Sequence, residues 1–491
     1  TPYRLATPQG SYNYKLVLII SYVLIIDVRL VFKDPRLKKQ MFKMFVPFLL
    51  QELVITLTTL MSNLILNAWG CDQEVMLGIT NAFQVFFVYN IIASGVCYVA
   101  NLFMSQHYGR GAIDDVQKDY YVLLKVSFVL GIIFFILALA IPQYLLWFST
   151  DLKAQNYGAE YLRWFSPVFL LLAPSMINYA LMKNMRLEKF CSISSLITFV
   201  IILAIESSII LSLDEAHYSW ALEAAALSMV VGRLVEFLFL FIVINKKCIV
   251  KFKFKDFFIT YYERFKSMVY YGSPMVVSKF SWAMGFVMVT IIANKFINID
   301  GAKGLFEAHS VMITYQNIVT CMSNAMASVV AVVIGRELGA NRMRKAKDHG
   351  MDISRLAMFM GIIQIATFML FLPIAIVATP NLSPEAYSYL WKVFLIQCIA
   401  IIPRLYNSYY INGLFNAGGD TLFILLVDGL TAWLTIVPLG YIGINFNWNP
   451  LLVYALIQLE ENFKVPFVIW RYKTKKWVFN ITKKKGIVFN E

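Results

Sequence analysis

Apolar stretches long enough to cross a membrane recur along the whole chain, and no other feature restricts its fold as severely. A helix needs roughly 20 apolar residues to span the hydrocarbon of a bilayer. Runs bounded by charged or turn residues lie near 43–68, 76–105, 120–148, 160–183, 190–213 and 219–245, and again near 272–296, 304–335, 351–378, 387–415, 419–444 and 449–471. With 491 residues, 59% of them hydrophobic and 15% charged, and a mean hydropathy of +0.66, the chain is too apolar for a water-soluble globule. An all-α polytopic membrane protein of about twelve transmembrane helices is expected, and a single-pass receptor is excluded.

Lys plus Arg number 43 against 29 Asp plus Glu, a net charge of +14. A basic excess of this size raises the question of nucleic acid, but its placement argues against that partner. Basic residues gather in alternate connections: Lys33, Arg36, Lys38 and Lys39; Arg110 and Lys118; Lys183, Arg186 and Lys189; Arg336, Arg342, Arg344, Lys345 and Lys347; and the tail with Arg471, Lys473, Lys475 and Lys476. The intervening connections carry Asp72 and Glu74, Asp151, Asp214 and Glu215, Asp300, and Glu385. The positive-inside rule puts the basic set in the cytoplasm and both termini with it, in a multi-pass protein of the plasma (inner) membrane, expected to be bacterial. Membrane lipids and a small-molecule substrate are the expected partners of a monomer. The run Leu16–Ile26 is interrupted by Asp27 and Arg29 and reads as part of an N-terminal extension over 1–42, with an extra span at 16–32 left open. The six cysteines show no Cys-x-x-Cys spacing, so neither disulfides nor a metal site is expected.

The two sets of runs look like copies. Pro47 and Pro274 are 227 residues apart, Tyr161-Leu162 and Tyr389-Leu390 are 228 apart, and Gly109 and Gly339 are 230 apart. Each copy holds six runs, so both have the same orientation and are related by an axis along the membrane normal; substrate sites in such folds lie between the copies. The expected organisation is a first six-helix bundle over 43–245, a linker over 246–271 lying on the membrane face, a second six-helix bundle over 272–471 and a basic cytoplasmic tail over 472–491.

Several motifs in order resemble the multidrug and toxic compound extrusion (MATE) family of the multidrug/oligosaccharidyl-lipid/polysaccharide exporter (MOP) superfamily. They are Ser105-Gln106-His107-Tyr108-Gly109, Gly335-Arg336-Glu337-Leu338-Gly339-Ala340 and Gly413-Leu414-Phe415-Asn416-Ala417-Gly418-Gly419-Asp420-Thr421, joined by Ala224-Ala225-Ala226 leading to Arg233 and Glu236, and by Pro274 with Trp282. The resemblance covers roughly residues 40 to 480. It implies a V-shaped transporter of two pseudo-symmetric six-helix bundles that alternates between outward and inward openings and exports organic cations in exchange for sodium ions or protons, with no cofactor beyond the coupling ion.

A charge at mid-bilayer costs about 2.5–3.5 kcal/mol on insertion scales, so each one needs a partner or a function. Those inside expected spans are Glu52, Lys125, Glu206, Arg233, Glu236, Lys279, Arg404 and Asp428. By the resemblance, the neighbourhood of Glu206 holds an ion-binding carboxylate with an Asn four residues earlier; here Ile202 stands there, and the first-span stretch Ser62-Asn63-Leu64-Ile65-Leu66-Asn67 lacks the family's Asp. A lone carboxyl group among hydrocarbon is more stable with its proton on, and sodium would find few oxygen ligands. The coupling ion is therefore read as the proton rather than sodium, with Glu206, Asp428 and Glu52 as coupling candidates; a solvated Glu206 at the outer end of its span is the plain alternative.

Relatives often carry Asn-Glu before the seventh-span Trp, whereas this chain has Ser278-Lys279 before Trp282. By the repeat, Lys279 corresponds to Glu52, and the two are read either as an ion pair across the cleft or as interfacial residues. An unpaired Lys279 in the cavity would disfavour cationic drugs and favour anionic or zwitterionic cargo. Lys279, Asn63, Trp282, Arg404 and Ser278 are the substrate or gating candidates. Arg233 and Glu236 are expected to pair locally, and Asp428 either pairs with Arg404 or takes part in proton coupling.

The histidines are dispersed and there is no phosphate-binding glycine loop, nucleophile motif or room for a nucleotide-binding domain, so neither an enzyme nor a primary pump is expected. The reading is a secondary active exporter of small amphipathic compounds. A flippase or exporter of lipid-linked or anionic cargo in the same superfamily, and a membrane scaffold without transport, remain as alternatives.

Overall fold

The computed structural model describes residues 34–68, 72–149, 151–210, 212, 218–296, 302–379 and 382–482. The extension before residue 34, with the segment at 16–32, and the end of the tail lie outside the described residues. Among the described residues every regular element is a helix. The first group comprises α1 (Pro35–Ala68), α2 (Gln73–Arg110), α3 (Ile113–Ala140), α4 (Leu152–Phe165), α5 (Pro167–Asn184), α6 (Glu188–Ile210) and α7 (Tyr218–Lys247). The second comprises α8 (Tyr262–Phe296), α9 (Ala302–Gly339), α10 (Met343–Ala378), α11 (Pro384–Phe415), α12 (Thr421–Gly443), α13 (Pro450–Gln458) and α14 (Glu460–Thr474). Nine of the described helices are long and apolar enough to cross a membrane, ten if α4 and α5 count as one bent span. The remaining two of the twelve expected segments are α8 and the broken pair α13–α14.

Local chemistry explains where these helices begin and bend. Asp34 caps α1 by accepting from the Arg36 amide at 2.8 Å, and Pro35 follows it where a missing N–H costs nothing, so α1 starts eight residues before the apolar run near 43. Between α4 and α5 the chain turns by 55° at Ser166-Pro167, because proline removes a helical hydrogen bond and clashes with the preceding turn. α11 and α12 each contain a wide π-helical stretch, Ser408–Phe415 and Leu425–Gly429, a geometry that gathers at functional sites.

Each group packs mainly on itself, and the two meet where α1 lies against α9 and α2 against α8 and α9. The first helix of either bundle thus faces the second of the other, as a two-fold axis requires. At the end of the bundles that carries the arginines the contact is reciprocal: a Cβ on Gly109 would overlap the Arg336 carbonyl, and one on Gly339 would overlap that of Gln106. Both members of this exchange are related by the 230-residue spacing of the repeat. Only glycine lets the backbones come this close. The side chains repeat the pattern. Arg336 donates to the Lys183 and Asn184 carbonyls at 3.1 and 2.9 Å, at the C-terminus of α5. Gln106 donates to the Ala417 carbonyl at 2.7 Å, at the end of α11. The segment following α14 crosses this junction, with Ile481 donating to Gln106 at 2.8 Å and Asn480 to Gly339 at 3.4 Å.

The segment between α7 and α8 lies on α3. Lys125 donates to the Ile259 carbonyl at 2.8 Å and Tyr121 accepts from the Lys253 amide at 2.8 Å. Phe254 and Phe258 stay exposed.

Candidate coupling and cleft residues

Helices α1 and α6 pack together, and this brings Glu206 to Ser62. Glu206 is fully buried, and its Oε1 accepts from the Ser62 hydroxyl at 2.5 Å. Its Oε2 has no hydrogen-bond partner among the described residues. Ile202, one turn earlier, fills the space beside Gly232 of α7 with hydrocarbon. On α4 the Tyr161 ring is buried and stacked on Phe165 at 5.5 Å; its hydroxyl is also without a partner among the described residues, within electrostatic reach of Glu206. The result is one carboxyl group with one satisfied and one free oxygen in an apolar surround. The side chain of Asn63, the neighbour of Ser62, lies outside the described residues.

Next to Gly232 on α7, the Arg233 guanidinium binds Glu236 at 2.5 Å, and Tyr179 of α5 donates to the same carboxylate at 2.5 Å. The Tyr179 hydroxyl also meets that of Ser195 on α6 at 3.2 Å, so the network ties α5, α6 and α7 together and engages both oxygens of Glu236.

Lys279 does not meet Glu52. Its ammonium lies 2.9 Å from Asp428 Oδ2, inside its own bundle, because α8 packs along the π-helical turn of α12 that carries Asp428. Ser281 donates to the Gly429 carbonyl at 2.5 Å and Trp433 to that of Ser281 at 3.1 Å, holding the two helices in this register. Across the seam the Lys279 ammonium sits 5.4 Å from the centre of the Tyr98 ring on α2. Glu52 is half-buried on α1 and forms no ion pair among the described residues; the charge acting on it is that of Lys183, which rests 4.4 Å above the Phe48 ring.

The expected pair of Arg404 with Asp428 is also absent, since both oxygens of Asp428 are taken: Oδ2 by Lys279 and Oδ1 by Lys464 at 3.0 Å. Arg404 instead acts on His309 and Tyr454, which bond to each other at 3.0 Å. Lys464 further binds Glu460 at 2.8 Å and Glu461 at 3.2 Å. Sequence reasoning missed these three residues, although Glu460-Glu461 followed by Lys464 in an apolar run was a visible signal. Ser278 is buried with its hydroxyl unpartnered among the described residues, and Trp282 lies 6.3 Å from Phe87 of α2 across the seam. Among the described residues no group of His, Cys, Asp and Glu could hold a metal ion.

The MatE family model matches residues 47–207, from the middle of α1 to the residue after Glu206. A relative, the uncharacterized transporter YisQ of Bacillus subtilis (strain 168), is 21% identical over 474 residues, spanning 91% of this chain and 98% of its own. An outward-facing multidrug resistance MATE transporter of the MOP superfamily superposes with a TM-score of 0.78 at 15% identity, over 92% of this chain and 98% of that one. A MOP superfamily transporter from Pyrococcus furiosus, described as having a binding pocket of reverse polarity, superposes with a TM-score of 0.77 at 15% identity, over 92% and 99% of the two chains.

Proposed function

We propose that this chain, which belongs to the MATE family of MOP superfamily transporters, is a secondary active exporter of small amphipathic organic compounds that runs by proton antiport with alternating access. One observation carries the reading: Glu206 is buried, one of its oxygens accepts from Ser62, and the other has no partner among the described residues. A proton satisfies such a carboxyl group by itself, whereas a sodium ion asks for several oxygen ligands at once, and Ile202 supplies hydrocarbon instead.

Protonation changes Glu206 from acceptor to donor and removes its charge. That alters the free energy of packing α1 against α6 and biases the bundle between two arrangements, which is what an ion must do to drive a conformational cycle. Cargo sits in the cleft between the bundles, near the seam where Trp282 faces Phe87 and Tyr98 faces Lys279. With its ammonium bound to Asp428, Lys279 offers no free positive charge to a lipid-linked or anionic cargo, which favours the organic-compound reading.

In this reading the arginine-bearing ends of the bundles face the cytoplasm of a bacterium, the plasma membrane is the site, and the working unit is a monomer. The test is efflux of a cationic dye from proteoliposomes under an imposed pH gradient, an imposed sodium gradient, or neither. Efflux that follows the pH gradient alone is expected; efflux that follows sodium alone overturns the choice of ion, and no gradient-dependent efflux from folded protein overturns the exporter.

A further inference from the structure

The buried charges of the second bundle differ from a ligand site waiting for an ion, because an ammonium group of the chain itself already lies among the three carboxylates. We propose that the Lys464 ammonium is a built-in cation: it fills an oxygen cage of Asp428, Glu460 and Glu461 that would otherwise take a monovalent metal ion, so the second bundle draws no coupling ion from solution. This rests on the reading of the chain as an ion-driven exporter.

Lys464 is fully buried. An ammonium group has three donors, and three carboxylates surround this one: it donates to Asp428 at 3.0 Å and to Glu461 at 3.2 Å and forms an ion pair with Glu460 at 2.8 Å. Asp428 in turn is closed off by Lys279 at 2.9 Å, and the other oxygen of Glu461 accepts from the Asn407 amide at 2.8 Å. Three helices build the cage: α12 supplies Asp428 from its π-helical turn, α14 supplies Glu460, Glu461 and Lys464, and α11 supplies Asn407. The oxygen of that same amide, Asn407 Oδ1, is buried and without a partner among the described residues.

Carboxylate and amide oxygens are the ligands that hard cations prefer. Three carboxylates cannot share an apolar interior without positive charge nearby. Lys464 and Lys279 supply it from within the chain. Take Lys464 away and three carboxylates face the single ammonium of Lys279, around a space the size of the lost side chain. That space is a site for a monovalent hard cation. Fixing the cation covalently holds the charge of this bundle constant through the cycle and leaves proton exchange to the first bundle, where Glu206 lies.

The experiment measures binding of radioactive sodium to the purified full chain, together with thermal unfolding in sodium chloride against choline chloride. The wild type is expected to show neither sodium binding nor a sodium-dependent rise in Tm. Lys464→Ala is expected to gain both, since a ligand that binds only the folded state raises its Tm. Should Lys464→Ala fail to fold, the double variant Lys464→Ala with Glu460→Gln removes one charge of each sign, keeps the vacated space and is expected to gain sodium binding in the same way. Folded variants that gain none overturn the proposal. So does wild-type sodium binding that survives in Glu206→Gln and is lost in Asp428→Asn. Wild-type sodium binding that is lost in Glu206→Gln instead overturns the proton reading of the first bundle and leaves the built-in cation standing.

Discussion

The two bundles share a fold and treat buried charge in opposite ways. In the first, Glu206 is a carboxyl group with a single hydroxyl partner and one oxygen free among the described residues. In the second, Asp428 has an ammonium group on each oxygen, and Lys464 is surrounded by three carboxylates. A group with unmet bonding capacity changes state when a proton or ligand arrives. A saturated network resists change, since altering one member strands the others. The two scaffolds are similar, and under the proposed function the first bundle is the exchanger and the second the fixed frame.

The sharpest way to break the contrast is Glu206→Gln. The amide keeps the volume and an acceptor for Ser62 but takes no proton. Gradient-driven efflux from proteoliposomes is expected to vanish while purified yield and Tm stay near those of the wild type. Undiminished efflux removes Glu206 from coupling and with it the functional difference between the bundles.

Next in size comes Lys464→Met, which leaves three buried carboxylates short of a cation. Breaking a buried ion pair from one side costs about 3–5 kcal/mol. A large fall in Tm in choline chloride is therefore expected, far beyond any change in Glu206→Gln. Equal Tm values for the two variants would show that the second bundle is no more dependent on its charges than the first.

Arg336→Ala tests the junction at the arginine-bearing end. It removes two charge-assisted hydrogen bonds to the end of α5 and a guanidinium lying 5.1 Å from the centre of the Tyr108 ring. Hydrogen bonds to charged groups are worth about 1.5–3 kcal/mol, and the loss falls on the contact between bundles rather than on either core. Spin-label distances across this end are expected to lengthen or broaden in the variant. An unchanged distribution would mean that the glycine contacts and the Gln106 and tail hydrogen bonds hold the junction closed without the arginine.

Much of this architecture was legible before any coordinates. The apolar runs correspond to the helical segments because hydrocarbon demands internal hydrogen bonding, and the spacing between Gly109 and Gly339 marked a repeat whose reciprocal contact the structure displays. What escaped was pairing. Whether Lys279 reaches Glu52 or Asp428 depends on the rotation of α8 about its axis and on the wide turn at Leu425–Gly429, and neither is visible in hydropathy. The register of a repeat shows that two residues are equivalent, which is different from showing that they touch. Lys464 and its two glutamates went unnoticed because the final run was counted as a span without weighing the charges inside it. The 55° bend at Ser166-Pro167 falls inside what reads as one unbroken run near 160–183, because hydropathy does not register the break that a proline makes.

The smallest expected effect comes from an ion pair whose length matches that of Lys279 and Asp428. Lys153 lies 3.0 Å from Glu74, joining the starts of α4 and α2, with side-chain exposures of 72% and 42%; Lys279 lies 2.9 Å from Asp428, with 10% and 10%. Distance alone ranks the two pairs as equals. Burial separates them, since water and salt screen the first pair while holding it in place costs side-chain entropy. Glu74→Gln is therefore expected to leave Tm within measurement error at any ionic strength, whereas Lys279→Met lowers it by stranding one oxygen of Asp428. If the exposed substitution proved as damaging as the buried one, the explanation of the two bundles by saturated and unsaturated burial would fail, because contact length rather than environment would then govern what each charge is worth.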